Sequence, residues 1–245
     1  STGVNYNVNI APSAGMPRVW LAADRGVTAD GSGFVSTWAD QSGNGYNASQ
    51  SNGVNKPSIV AAQINGKPVM RFNGTSQLFG LHSNSFVGLS AAEIFVVVKA
   101  ASDMPAQNRA LWSLTNNAAL YPTLYPPTDG RISDRALCAN STSNVVGDPA
   151  QPLDQYHVYS VSSTSGSWKA FINNVLQHEA IANTFTYSST PYLGVYWTTL
   201  FHGDIAEFIV YDHVLTEGER NDVGLYLGGK YALGSGPSGV PANFS

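Results

Sequence analysis

Two acidic residues of one strand-like run, Asp204 and Glu207, are the first candidates for bond-breaking chemistry. Hydrolysis of a glycosidic bond needs two carboxylates about 5–10 Å apart across it. On a regular strand, only acids two or four positions apart share a face. Asp204 and Glu207 stand three apart, so a regular strand points them to opposite faces. Glu217 and Glu219 fall in the first turn of an expected helix, where capping and the macrodipole account for them. The five histidines (His82, His157, His178, His202 and His213) show neither H-E-x-x-H nor another metal spacing, and are expected on the surface or in loops. No G-x-S-x-G elbow marks a nucleophilic serine. Cys138 is the single cysteine, which excludes an internal disulfide and a Cys-rich zinc site; it reads as a small, half-buried residue. These residues lead to the expectation of no catalytic residue.

The elements that would position any site are short strands. The chain has 245 residues, of which 43% are hydrophobic and 11% charged, with 24 Gly and 13 Pro. That composition supplies a core but little surface charge, and it breaks the chain at many turns. A net charge of -4 with scattered Lys and Arg excludes the basic stripe of a nucleic-acid binder. No apolar run approaches the ~20 residues of a membrane span. The start, STGVNYNVNI, has no basic residue followed by an apolar stretch, so no signal peptide is expected in it.

Phe34–Asp40 alternates with period two, as a half-buried strand does. Ala92–Ala100 is a continuous β-branched run that suits a central strand buried on both faces. Asn65-Gly66 and Asn173-Asn174 read as hairpin turns. Pro126–Leu153 is the least regular stretch and reads as a long surface loop or insertion. Thr216 and Glu219 form a T-x-x-E capping box, followed by Val223, Tyr226, Leu227 and Tyr231 at helical spacing. Gly234 is placed to end that helix.

Four motifs occur in order: Trp38-Ala39-Asp40-Gln41-Ser42-Gly43-Asn44-Gly45 with Ala48, then Gly66–Gly74 (GKPVMRFNG), Phe95–Lys99 (FVVVK), and Gly203–Asp212 (GDIAEFIVYD) with Leu215-Thr216 and Glu219-Arg220. Together, over roughly residues 18–233, they resemble the bacterial laminin-G-like domains of the concanavalin A-like lectin/glucanase superfamily. The resemblance implies an all-β, two-sheet antiparallel sandwich (a jelly roll) with one short C-terminal helix. It divides the chain into an N-terminal arm at 1–17, the sandwich domain at 18–233 and a tail at 234–245. The E-x-D-x-x-E strand of glucanases with this fold is absent. The fold often carries a structural calcium ion. The resemblance would place it on Asp204, with Asn73 and Gly74 as neighbours, although Gln77-Leu78 stand where relatives often have Asp-Tyr.

Sugar binding by such a fold stacks aromatic faces on pyranose rings and adds amide and hydroxyl hydrogen bonds. The candidates are Tyr121, Tyr125, Tyr192, Tyr196 and Trp197, with Asn116, Asn117 and Asp129 nearby in sequence. Tyr192 and Tyr196 should share a strand face with Trp197 opposite, so at least one of these three belongs to the core. Trp20, Trp38, Trp112 and Trp168 sit in apolar strands and are expected inside. The expectation is a non-catalytic adhesion module for glycans or cell-surface polysaccharide, outside the cell. The alternative is a structural virion protein, a capsid decoration or fibre subunit that contacts its neighbours or forms a homo-oligomer through the terminal arms.

Overall fold

The chain is described here from a computed structural model over residues 14–115, 123–139 and 144–233. Residues 1–13 of the N-terminal arm and the whole C-terminal tail therefore lie outside the described residues. Among the described residues eighteen strands appear. They are β1 (Val19–Ala22), β2 (Val27–Ala29), β3 (Val35–Trp38), β4 (Ala48–Ser49), β5 (Ser58–Ile64) and β6 (Lys67–Asn73). Then come β7 (Phe79–Gly80), β8 (Ala91–Ala100), β9 (Trp112–Ser113), β10 (Ile132–Asp134), β11 (Asn144–Gly147) and β12 (His157–Thr164). The last six are β13 (Ser167–Ile172), β14 (Val175–Ala180), β15 (Tyr192–Leu193), β16 (Val195–Tyr196), β17 (Thr199–Leu200) and β18 (His202–Tyr211). One α-helix, α1 (Glu217–Tyr231), closes the series.

A large antiparallel sheet runs in the order β14-β13-β12-β8-β18-β6-β5. The far side of β18 is shared: β6 pairs with its first half and β1 with its second. A small sheet, β2-β3-β4-β7-β15-β9, lies over one face of the large one. Between the two sheets sit Ile94, Val96 and Val98 of β8 and Phe208 and Val210 of β18, against Trp38, Phe79, Trp112 and Leu193. The opposite face of the large sheet carries Phe95, Val97, Ile209 and Tyr211 under Val223, Leu227 and Tyr231 of α1. β8 is thus apolar on both faces because both are covered, as its unbroken β-branched run requires. Each fully buried Val or Leu contributes about 1.5–3 kcal/mol of burial. Trp20, Trp38, Trp112 and Trp168 are all interior.

Local chemistry sets the turns. Asn65 and Gly66 both take left-handed backbone angles in the β5–β6 hairpin, and Asn173 and Asn174 do so between β13 and β14. The W-A-D-Q-S-G-N-G turn is organised by Asp40, whose carboxylate accepts the backbone N–H groups of Trp20, Ser42 and Tyr46 and the Ser42 hydroxyl. The helix opens on the expected box: Thr216 Oγ1 accepts the Glu219 N–H, and the Glu219 carboxylate accepts the Thr216 N–H at 2.8 Å.

Four expectations need correction. The stretch from Pro126 to Leu153 is not merely a surface loop: it carries β10 and β11 and buries Ile132, Ala136, Leu137 and Cys138. Cys138 is therefore fully interior rather than half-buried. The helix is ended by Ala232 in the left-handed conformation, not by Gly234. His157 is buried in the core rather than exposed, because it lies on the inward face of β12.

Candidate functional site

The aromatic candidates separate sharply. Gly194, between β15 and β16, has φ of 83°, and a Cβ there would lie 2.5 Å from the Phe72 ring, so only glycine fits. The reversal at this residue breaks the two-residue alternation. Tyr192 and Tyr196 therefore do not share a face. Tyr192 is 37% exposed on the outer face of the small sheet, where it pairs with Gly80 and Ser113. Tyr196 is only 6% exposed and packs inward, which removes it as a stacking platform.

Trp197 sits at the tip of the β16–β17 hairpin with φ of 53°, and it is 71% exposed. A bulky side chain in left-handed backbone costs about 1–2 kcal/mol, and an exposed indole gains little burial in return. A two-residue hairpin turn calls for a positive φ at its first position, and here that position holds the indole in solvent.

Tyr125 is a correction. Its ring is wholly buried, 4.9 Å from the Tyr159 ring centroid, and its hydroxyl bonds His157 Nε2. It is core and cannot stack on a ligand. Asp129 is exposed, accepts the Arg131 N–H at 3.2 Å and lies 3.8 Å from its guanidinium, so it shapes its own turn. Asn116, Asn117 and Tyr121 lie outside the described residues. The structure thus leaves Trp197 and Tyr192 as exposed aromatics from the expected set.

The residues proposed for calcium do not form a metal cage. Both Asp204 carboxylate oxygens are held by the Arg71 guanidinium, at 2.7 and 2.8 Å, and the Tyr156 hydroxyl adds a bond at 2.7 Å. Asn73 Oδ1 accepts the backbone N–H groups of Thr75 and Ser76. The Gly74 carbonyl accepts Arg109 Nη1 at 2.8 Å. The oxygens a hard cation would need are engaged by donors, and a resident positive charge occupies its place. Among the described residues no group of three His, Cys, Asp or Glu side chains could hold a metal. The set does not fit calcium. A chelator is accordingly expected to leave the thermal midpoint unchanged. Arg71→Ala should cost about 1–2 kcal/mol, the modest size reflecting that Arg71 is 43% exposed. Paired thermal melts with and without EDTA check both outcomes.

The acid pair also departs from the expected geometry. The register of β18 against β8 shifts at Ala206: Asp204 pairs with Lys99 and Glu207 with Val97. This one-residue bulge brings Asp204 and Glu207 onto the same face, which spacing in the sequence could not reveal. Neither is free for acid–base work. Glu207 accepts Trp20 Nε1 at 2.6 Å, Tyr226 Oη at 2.8 Å, Tyr231 Oη at 2.6 Å and Lys230 Nζ at 2.8 Å. Burial, followed by the Glu207 charge, pushes the Tyr226 and Tyr231 hydroxyls well above their ordinary range. Glu93, on the same outer face, is held by Arg220 at 2.5 Å and by the Leu215 N–H at 3.0 Å. The three carboxylates of this face are structural anchors for the loops and the helix that cross it.

The open part of this face carries Arg71 beside Lys99, whose ammonium lies 5.2 Å from the Tyr156 ring centroid. His202 is exposed; partial burial, then the Arg109 charge, lowers its pKa.

No family model matches the chain, and no curated protein matches it in sequence. Solved structures match its fold. The binding domain of botulinum neurotoxin serotype G superposes with a TM-score of 0.60 at 15% identity, over 86% of this chain and 50% of that one. The receptor-binding domain of the mosaic serotype C/D neurotoxin gives 0.58 at 13%, over 85% and 50%. Trypanosoma rangeli sialidase in complex with sialic acid gives 0.56 at 12%, over 86% and 32%. The chain spans a third to a half of these proteins. At such identities the likeness shows a shared β-sandwich architecture. Among the described residues, no helix is long and apolar enough to cross a membrane.

Proposed function

We propose that this domain is a non-catalytic, carbohydrate-directed binding module of laminin-G-like type, presented outside the cell. The observation that carries the reading is Trp197, an indole held out at a hairpin tip in a backbone conformation that favours glycine. An exposed indole face stacks on the C–H face of a pyranose, and Tyr192 extends the aromatic surface on the outer side of the small sheet. The fold's likeness to a sialidase in complex with sialic acid agrees with a saccharide ligand. Binding without hydrolysis is supported by the engagement of Glu93, Asp204 and Glu207 with cationic partners.

The test is a glycan array with the wild-type chain and two variants. Wild type should give a hit, and Trp197→Ala should lose it by at least about tenfold, the equivalent of ~1.4 kcal/mol of stacking. Trp197→Gly should lose the hit equally while its unfolding midpoint stays level or rises, since the backbone strain is relieved. Release of reducing ends from a polysaccharide panel would overturn the non-catalytic reading.

A further inference from the structure

The large sheet is wider than the helix that covers it. α1 packs over β1, β18 and β8, and its cluster reaches Val158 at the start of β12, while the outer face of β13 and β14 lies beside the N-terminal end of the helix. A cleft of about 560 Å³ opens there. Its volume falls within the usual range for small-molecule sites.

The floor of the cleft is polar where a sheet face beside a helix is ordinarily apolar. Ser162 pairs across the hairpin with Lys169, and Thr164 pairs with Ser167. All four side chains line the cleft. Ser162 is 3% exposed and lines the cleft. A hydroxyl in a cleft lining can both donate to and accept from a ligand. One wall is the helix end, with Leu215, Glu217 and Asn221; the other is Asn174 and Leu176 of the β13–β14 hairpin. Asn174 and Asn221 hydrogen-bond to each other across the gap.

The charges of the cleft indicate the class of ligand. Lys169 is paired with Glu179 at 3.0 Å. Arg220 is spent on Glu93 and on the Leu215 carbonyl, with its guanidinium 4.6 Å from the Phe171 ring centroid. No spare cation remains in the lining to call for an anion, and Glu217 adds a negative rim. What remains is a set of hydroxyls and amides, which both donate and accept, next to the apolar Leu176, Val214 and Leu215. Polyhydroxylated rings present the same mixture: alternating donors and acceptors around an apolar C–H face.

We propose that this cleft is a second binding site, for a neutral mono- or disaccharide, on the face of the sandwich opposite Tyr192. It rests on its own lining and not on Trp197, so the two sites stand or fall separately.

The test is residue-resolved NMR on the full-length, 15N-labelled chain, titrated with maltose, cellobiose and lactose, and with N-acetylneuraminic acid as an anionic comparison. At least one neutral disaccharide should give saturable shifts in the amides of Ser162, Lys169 and Asn174 and of 215–221. Ser162→Ala and Asn221→Ala should each weaken that binding by about tenfold, the size of one or two lost hydrogen bonds. Their spectra also report whether the variants fold. Trp197→Ala should leave the cleft shifts intact. Absence of cleft shifts with all three sugars, or shifts unchanged in both cleft variants, would overturn the proposal. Stronger shifts with the anionic sugar would overturn the neutral assignment.

Discussion

Acidification from pH 6.5 to about 4 is expected to remove about 3 kcal/mol of folding stability through one residue, His157. The imidazole is buried on the inward face of β12. Its Nδ1 lies 2.8 Å from the Gln155 carbonyl and its Nε2 faces the Tyr125 hydroxyl. That arrangement suits the neutral ring, with Nδ1–H donating to the carbonyl and Nε2 accepting from the phenol. Burial drives its pKa from 6.5 down to about 4 in the folded chain. In the unfolded chain the ring takes a proton near pH 6.5, so the unfolded state binds more protons throughout the window between the two values. Stability is therefore complete above pH 6.5 and is lost as pH falls toward 4, by about 1.4 kcal/mol per unit.

Asp134 works in the opposite sense. Burial raises its carboxyl despite bonds from Trp112, the Ala136 N–H, Tyr159 and Thr123, so its protonation on acidification offsets part of the loss. The comparison with His157→Gln isolates the histidine. The variant should be less stable at neutral pH, and its stability should vary less between pH 6.5 and 4. Urea unfolding at several pH values measures both slopes. Parallel slopes for the two proteins would show that His157 is already hydrated and titrates normally.

Lys230→Met is expected to cost about 3–5 kcal/mol, a large share of the 5–15 kcal/mol typical of a domain. Lys230 is 2% exposed near the end of α1, and its ammonium lies 2.8 Å from Glu207 and 3.0 Å from Asp24. Removing it leaves Glu207 charged, buried and without a counter-ion. Adding Glu207→Gln should recover part of the loss, because the amide needs no counter-charge. Urea unfolding of the two single variants and the double variant at neutral pH gives the coupling. If the single changes simply add, the ion pair contributes nothing beyond packing.

A second consequence concerns Asp24. Burial raises its carboxyl, but Lys230, Arg25 and Lys67 outweigh this and leave it lowered. Its contribution to stability is present above about pH 4 and fades as the pH falls through its depressed value. In Lys230→Met that part of the acid sensitivity should shrink.

What could be read from the sequence was what neighbours in the chain decide. Asn65-Gly66, Asn173-Asn174 and the Thr216–Glu219 box name their own conformations, because the side chains or the backbone freedom involved act within four residues. The Ala92–Ala100 run announced a strand covered on both sides through its lack of polar positions. What escaped was decided by partners far away. Arg71 and Asp204 meet across 133 positions, so nothing near Asp204 announced that a guanidinium would take the place expected for a metal. Tyr125 sits in a proline-rich stretch that reads as surface, and only its contact with His157 on another strand shows it to be interior. Gly194 could have hinted that Tyr192 and Tyr196 diverge, because a glycine inside a strand pattern often marks a break in alternation. Trp197 itself was visible as a candidate, but its strained backbone was not.

The irregularity at Ala206 carries a consequence for how this protein can vary. It acts as a phase shifter in one of the two ten-residue strands: the residues before it and those after it keep step with different halves of the same sheet. Deleting that one residue would rotate His202–Ile205 by half a turn, driving a carboxylate into the oily interior and turning Ile205 out to water. Insertions and deletions in this segment of the chain should therefore survive only in pairs.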